Sequence, residues 1–284
     1  MPEFDEMYEM YERKTSISKK KIRAQELFMN LLKERAETGR IYIMNIDHCN
    51  THSSFKDKVY MSNLCQEITL PTTPVQHIDD EDGEIALCIL SAVNLGLIRD
   101  KDDLEELCDL SVRALDEIID YQEYPILAAK QSAQSRRSLG IGYIGLAHYL
   151  AKNHVAYGDK EALELVDETT EAFQYYLLKA SNQLAIEKGQ CEYFEKTKYS
   201  DGILPIDTYK KDIDKIVKRK LSYDWKQLRK DIQEHGLRHS TLSAQMPSES
   251  SSVVSNATNG IEPPRDYLSV KKSKKGTLKQ IVPD

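Results

Sequence analysis

Three side chains of the segment YMSNLCQEITLP, Tyr60 to Pro71, are of types that do chemistry at short range: Asn63, Cys65 and Glu67, spaced two apart. In an extended segment side chains alternate faces with a period of two, so these three project one way while Leu64, Gln66 and Ile68 project the other. A thiol between a carboxamide and a carboxylate looks more like an arrangement for chemistry than for packing. Two polar groups on one buried face must each find a partner. The competing reading of Cys65 is a small buried hydrophobe, which is what a free cysteine usually is. Cys88, in EIALCILSAVNLG, has an apolar setting and reads on its own as a core cysteine.

Four further stretches hold chemistry-bearing residues. HCNTH, His48 to His52, suggests metal ligands, but the spacing matches no standard zinc pattern and no second cluster completes four ligands, so no metal is expected. GIGYIG, Gly140 to Gly145, matches the dinucleotide fingerprint. The preceding SRRSL is a poor buried strand, and the acidic residue expected about 20 residues on falls inside a helical region. Glycines for close helix–strand packing are the better account. MPSESSSVVSNATNG, Met246 to Gly260, is a serine-rich loop after a strand-like stretch. If Ser248 caps a helix, the following amides converge on an anion site; the other reading is a solvated cap, and both stay open. KKSKK, Lys271 to Lys275, is most simply a charged hairpin turn.

The elements that must position these residues follow from periodicity. Residues 5–40 are charged and helical in pattern, closed by Gly39. RIYIMNID reads as a strand, and IALCILSAVNLGLI (85–98) begins as an apolar run of the kind covered on both faces. TPVQHIDDEDGE is a polar loop. Helices are expected over about 102–120, 160–188 and 224–235, the last ending at Gly236. STLSAQM is strand-like, and the tail YLSVKKSKKGTLKQIVPD reads as a hairpin. Alternating strands and helices with apolar strands argue for an α/β fold with a mainly parallel sheet.

The 284 residues suffice for a sizeable core. A net charge of −7, from 39 basic and 46 acidic side chains, argues against general nucleic-acid binding but not against an anionic ligand held by backbone amides. No apolar run approaches the roughly 20 residues that span a bilayer, and the N-terminus lacks the features of a signal peptide. Five scattered cysteines fit a reducing cytoplasm rather than a disulfide scaffold. A cytoplasmic protein with no membrane partner is expected.

Taken together, GRIYIMNIDHCNTHS, SNLCQEI, GEIALCILSAVNLG, RRSLGIGYIGLAHYLA, GILPIDTYKKD and STLSAQMPSESSSVVSNATNGIEPPR resemble one family over nearly the whole chain: the large, catalytic alpha subunit of class I ribonucleotide reductase. The resemblance implies half of a ten-stranded α/β barrel with the radical cysteine on an internal loop. Residues 1–40 would be a helical lead-in and 41–284 the second half of the barrel. It implies that Cys65 becomes a thiyl radical and takes the 3′ hydrogen of a ribonucleoside diphosphate. Glu67 would take the 3′-hydroxyl proton, and Asn63 would hydrogen-bond the ribose and the glutamate. Cys88 would be one member of the reducing cysteine pair. Glu249 would lie near the ribose, with Ser248, Ser250 and Ser251 around the phosphate. The chain itself would hold no cofactor. A metal-containing small (beta) subunit would generate the radical, and thioredoxin or glutaredoxin would act as external dithiol reductant.

The family subunit is longer than this chain. The resemblance therefore places outside it the activity and specificity regions, the first half of the barrel with the partner of Cys88, the radical-passing tyrosine pair and the terminal cysteine pair. Tyr175–Tyr176 does not match that tyrosine pair. Complementing alpha-subunit fragments are thus expected partners, and the chain alone is expected to be inactive. Two other readings stand beside this one: a non-catalytic remnant or assembly partner of a split reductase, and a cysteine-nucleophile hydrolase. The hydrolase needs a histidine base near Cys65, for which His48 and His52 are close in sequence.

Overall fold

The computed structural model describes residues 2–100, 102–273 and 276–283. The chain divides into two compact units, Met1–Thr51 and His52–Asp284.

In the first unit, α1 (Pro2–Arg13) and α2 (Ala24–Thr38) are separate helices, so the expected helical pattern over 5–40 is broken in its middle. That stretch holds Thr15, Ser16 and Ser18, whose hydroxyls compete for backbone groups, and three consecutive lysines, Lys19 to Lys21. Gly39 ends α2 in the left-handed conformation at φ 64°, its N–H on the Arg35 carbonyl at 2.9 Å. The strand expected at RIYIMNID does not form. Residues 40–45 are irregular and lead into α3 (Ile46–His52). A strand must hand its backbone groups to a neighbour, and the described residues of this unit contain no other strand.

In the second unit, β1 (Ile89–Asn94) is joined through α4 (Asp102–Tyr121) and α5 (Leu127–Arg136) to β2 (Leu139–Ile144). The two strands pair in parallel, from Ile89 opposite Leu139 to Asn94 opposite Ile144, as the α/β reading expects. Then come α6 (Leu146–Lys152), α7 (Lys160–Lys188), the short α8 (Pro205–Thr208), α9 (Trp225–His235) and α10 (Glu249–Val254). The antiparallel hairpin β3 (Leu268–Ser273) and β4 (Gly276–Ile281) bears out the reading of the tail; its turn, the end of KKSKK, lies outside the described residues.

α4 buries Leu104, Cys108, Val112, Leu115 and Ile119, one stripe at spacings of three and four. That stripe packs in one cluster with Phe173, Leu177, Leu178 and Leu184 of α7 and with Leu139 and Ile141 of β2. Each such side chain contributes about 1.5–3 kcal/mol when fully buried. No helix among the described residues is long and apolar enough to cross a membrane.

The stretch STLSAQM is strand-like only in part. It runs beside β2, with Leu139 N–H on the Thr241 carbonyl at 3.1 Å, Ile141 N–H on Leu242 at 2.8 Å and Ala244 N–H on Ile141 at 3.1 Å. This leaves one isolated parallel bridge, Ile141 to Ser243. The glycine motif explains how the chains come so close. Gly140 and Gly142 lie inside β2, and a Cβ on Gly142 would stand 2.2 Å from the Ala244 carbonyl oxygen. The expected helix–strand packing is thus corrected to strand–strand packing. Only Gly145 stands at the strand-to-helix turn, at φ 76°. The described residues form two two-stranded sheets and not a closed barrel.

Candidate functional site

The carboxyl ends of parallel strands are where an open α/β sheet leaves its crevice. Here β2 runs into Gly145, whose N–H is held by the Thr258 carbonyl at 3.0 Å; Leu146 N–H reaches the Gly260 carbonyl at 3.3 Å. The chain that runs beside β2 continues past Met246 into α10. That chain and the segment after α10 line a cavity of about 740 Å³ that includes Cys65, Met246, Ser248, Glu249, Thr258 and Asn259 in its lining.

Cys65 is exposed, on a turn spanning residues 64–67. The expected extended segment with three side chains on one face is therefore not what forms. Gln66 adopts a left-handed conformation at φ 61°, which reverses the chain immediately after the cysteine. Asn63 closes the reversal. Its N–H reaches the Ile68 carbonyl at 3.4 Å, its carbonyl accepts from Gln66 N–H at 3.2 Å, and its side-chain Oδ1 accepts from Ile68 N–H at 3.3 Å. The carboxamide that sequence spacing offered as a reactive neighbour thus braces the turn, and its Nδ2 is left to donate elsewhere. Leu70 and Ile68 bury behind the turn.

Glu67 is half-buried, and its Oε2 is buried with no hydrogen-bond partner. Cys88 is half-buried immediately before β1, not sealed in the core. Burial pushes its thiol above the ordinary range, and the nearby negative charge of Glu67, then that of Cys65, push it further. Glu67, Cys65 and Cys88 therefore share one electrostatic neighbourhood. The two cysteines on α4 and after α7 are different. Cys108 and Cys191 are buried, and desolvation raises both thiols, Cys191 to about 12. Such thiols stay protonated and inert at neutral pH.

Ser248 sits at the N-cap position of α10 but does not cap it. Its buried hydroxyl donates instead to Asn259 Oδ1 at 2.9 Å, tying the two walls of the cavity together. Ser250 and Ser251 are exposed on the first turn, where helix amides lack an intrahelical acceptor. The Ser251 hydroxyl turns back to the Ser248 carbonyl at 3.2 Å. Glu249 is exposed and lines the cavity.

Sequence reasoning passed over Thr258, Asn259 and Arg265, all on the cavity wall. Thr258 Oγ1 is buried without a partner. The turn-rich stretch SNATNG that follows α10 was the available signal. Arg265 brings a guanidinium to a cavity whose serine loop has no Lys or Arg of its own. Among the described residues no group of three or more His, Cys, Asp or Glu is placed to hold a metal ion.

The comparisons with known proteins agree on one relationship. Residues 2–284 match the family model described as "Ribonucleotide reductase, barrel domain". The chain is 61% identical over 284 residues to the ribonucleoside-diphosphate reductase subunit alpha of Haemophilus influenzae, covering 99% of this chain and 38% of that protein. It is 60% identical over 285 residues to the ribonucleoside-diphosphate reductase 1 subunit alpha of Escherichia coli, covering 99% and 38%. It is 48% identical over 286 residues to the subunit alpha of Enterobacteria phage T4, covering 99% and 37%. The chain thus spans little more than a third of the length of the curated relatives it matches.

Proposed function

This chain belongs to the ribonucleotide reductase barrel-domain family, and from that premise we propose that it carries the substrate chemistry of a ribonucleoside-diphosphate reductase alpha subunit on half of a ten-stranded barrel. The substrate is a ribonucleoside diphosphate. A small subunit supplies the radical, the remaining alpha-subunit segments complete the barrel, and thioredoxin or glutaredoxin restores the reducing thiols.

The residues act in the following order. Cys65, as a thiyl radical, takes the 3′ hydrogen: an S–H bond forms, the C3′–H bond breaks, and the unpaired electron moves to C3′. Glu67 accepts the 3′-hydroxyl proton, and Asn63 Nδ2 orients the ribose. The 2′-hydroxyl takes one proton from a dithiol, with Cys88 as one member, and leaves as water. The dithiol then gives its second proton and two electrons to C2′, where a C–H bond forms, and ends as a disulfide. Glu67 returns its proton to the 3′ oxygen, and Cys65 returns its hydrogen to C3′ and regains the radical. Ser248, Ser250 and Ser251 form the phosphate end through first-turn amides, with Glu249 toward the ribose. Loss of water from a ribose carbon needs a base and oriented hydrogen bonds, and this set contains both.

One observation supports the reading above the others: Cys65 lines the same cavity as Ser248 and Glu249, with Glu67 and Cys88 close enough for charge to act between them. The deciding experiment is CDP reduction with this chain supplying its segment of an assembled alpha subunit, plus a small subunit and a dithiol. Cys65→Ser is expected to abolish dCDP formation and leave the CDP dissociation constant within about twofold. Turnover retained in that variant removes Cys65 from the role. An assembled complex with unmodified Cys65 that binds CDP yet makes no product favours a non-catalytic assembly partner instead.

A further inference from the structure

We infer that Arg136 is a positioning residue that pins both feet of the excursion carrying Cys65 and, through one of them, sets Cys88 against it. The inference rests on the reading of Cys65 and Cys88 as partners in one reaction. The excursion is the stretch from Asp57 to Glu84, which turns over at Cys65, buries Val59, Ile68 and Leu70 along its length and ends four residues before Cys88. Arg136, at the end of α5, meets both ends of that excursion. Its Nε and Nη2 donate to Glu84 Oε2 and Oε1 at 2.5 and 2.9 Å, and Nη2 also donates to Asp57 Oδ2 at 2.8 Å.

The setting is built to hold a plane as well as a charge. Arg136 is 2% exposed and Glu84 5%. The guanidinium carbon lies 5.8 Å from the centre of the Phe55 ring and 5.1 Å from that of Tyr193. Phe55 belongs to the outgoing foot and bridges Thr197 across the backbone. Glu84 is fixed a second time, its N–H and carbonyl both paired with Thr73, at 3.1 Å each. A two-pronged guanidinium fixes direction where a lysine would supply only a point charge. Two carboxylates drawn from opposite ends of one excursion onto one buried cation therefore set the spacing between those ends. Fixing the ends fixes where the turn at Cys65 stands relative to the chain that leads from Glu84 to Cys88.

The test uses the purified 284-residue chain and needs no turnover. A short bifunctional thiol reagent is added, the Cys65–Cys88 bridge is located by peptide mapping, and its yield is divided by that of singly alkylated Cys65. Melting curves report the fold. The unmodified chain is expected to form the bridge. Asp57→Asn, which releases the partly exposed outer foot, is expected to lower the ratio about three- to fivefold with an unchanged melt. Arg136→Lys is expected to lower it about tenfold or more. In the assembled enzyme both variants lower kcat and leave KM for CDP nearly unchanged. A bridge ratio equal to the unmodified chain's in both folded variants, or no bridge in the unmodified chain, overturns the inference. If Arg136→Lys fails to fold, Asp57→Asn decides alone. A ratio that falls as expected in a protein whose Cys65→Ser variant still turns over supports the clamp and overturns the proposed function.

Discussion

His239 Nε2 and Asp116 Oδ1 lie 3.2 Å apart, and neither side chain is exposed. Ser181 completes the line from the other side, 2.9 Å from His239 Nδ1. Burial raises the carboxyl of Asp116, but the hydrogen bond with His239 and the charges of Arg137 and Arg238 outweigh it and hold the group well below the usual carboxylate range. Desolvation holds His239 below its ordinary 6.5 in spite of the carboxylate beside it. The arrangement resembles a nucleophile triad in its order alone, because its serine and histidine are closed to solvent: Ser181 and His239 are 0% exposed. It is a buried polar joint between α4, α7 and the chain that runs beside β2.

That joint predicts acid sensitivity. A histidine whose folded pKa is depressed binds fewer protons folded than unfolded, so its contribution shrinks as pH falls below 6.5. Asp116 adds a second loss, confined to pH below its ordinary 3.8. Between pH 7 and 5 the histidine governs, with a slope of at most about 1.4 kcal/mol per pH unit for one group. Urea unfolding at pH 7.5, 6.0 and 5.0 should show stability dropping in that window. His239→Gln should be less stable at pH 7.5 but should flatten the pH dependence. An equal slope in that variant would place the acid sensitivity elsewhere.

Cys88→Ser separates the two thiols. If Cys88 belongs to the reducing pair, its loss leaves 3′-hydrogen abstraction intact and removes the electrons that complete the reaction. In the assembled enzyme the variant should release base and inorganic diphosphate from CDP in place of dCDP. Chromatography of the nucleotide pool distinguishes this from Cys65→Ser, which should leave CDP untouched. A normal dCDP yield from Cys88→Ser would exclude it from the pair.

Gly142 and Gly140 make unequal demands on β2. An added Cβ at Gly142 meets a backbone oxygen, that of Ala244, at 2.2 Å and Met246 Sδ at 2.9 Å. At Gly140 it meets the end of the Leu90 side chain at 2.6 Å and Ala244 Cβ at 3.1 Å. A leucine tip can turn away and a paired backbone cannot. Gly142→Ala should therefore destabilise by about 1–3 kcal/mol or more, and Gly140→Ala by less. The first should also weaken CDP binding, since the displaced chain runs directly into Ser248. Equal melting temperatures for the two would show that the strand contact relaxes freely.

Much of this arrangement is legible in the residues. The spacing of Leu104, Cys108, Val112, Leu115 and Ile119 gives α4 and its buried face, and Gly236 marks the end of α9. What sequence hides are decisions made by partners that only the fold brings together. Gln66 turns left-handed because the Asn63 and Ile68 backbones close around it, and nothing in its type asks for that. Arg136 and Arg137 make SRRSL read as a poor buried strand, yet both are buried because Glu84, Asp57, Asp116 and Asp120 arrive from other parts of the chain to receive them. Ser248 has the right type for a cap, yet Asn259 takes its hydroxyl. Local preference fails in each case where a partner lying far off in sequence, or close by but folded back, offers a better hydrogen bond.

The phosphate end of the cavity yields a prediction in which the backbone, not the side chain, is decisive. The Ser248 hydroxyl is occupied by Asn259 and the Ser251 hydroxyl by the Ser248 carbonyl, so those two side chains are poor candidates for the main donors to a diphosphate. First-turn amides and the helix dipole remain, and Arg265 offers the cationic group on the cavity wall. A hydrogen bond to a charged group is worth roughly 1.5–3 kcal/mol. Ser250→Pro deletes one first-turn amide donor that has no intrahelical acceptor, and should weaken CDP binding about ten- to a hundredfold. Ser250→Ala keeps the amide and should cost much less. Arg265→Gln should weaken binding too, and the loss should shrink as salt rises, because an exposed charge is screened. Calorimetric titration of CDP into the assembled enzyme measures all three, after a melt confirms that each variant folds. If alanine costs as much as proline at position 250, the side chain is the donor and the backbone site is wrong. If neither costs anything while Arg265→Gln does, the diphosphate is held by that guanidinium on the facing wall.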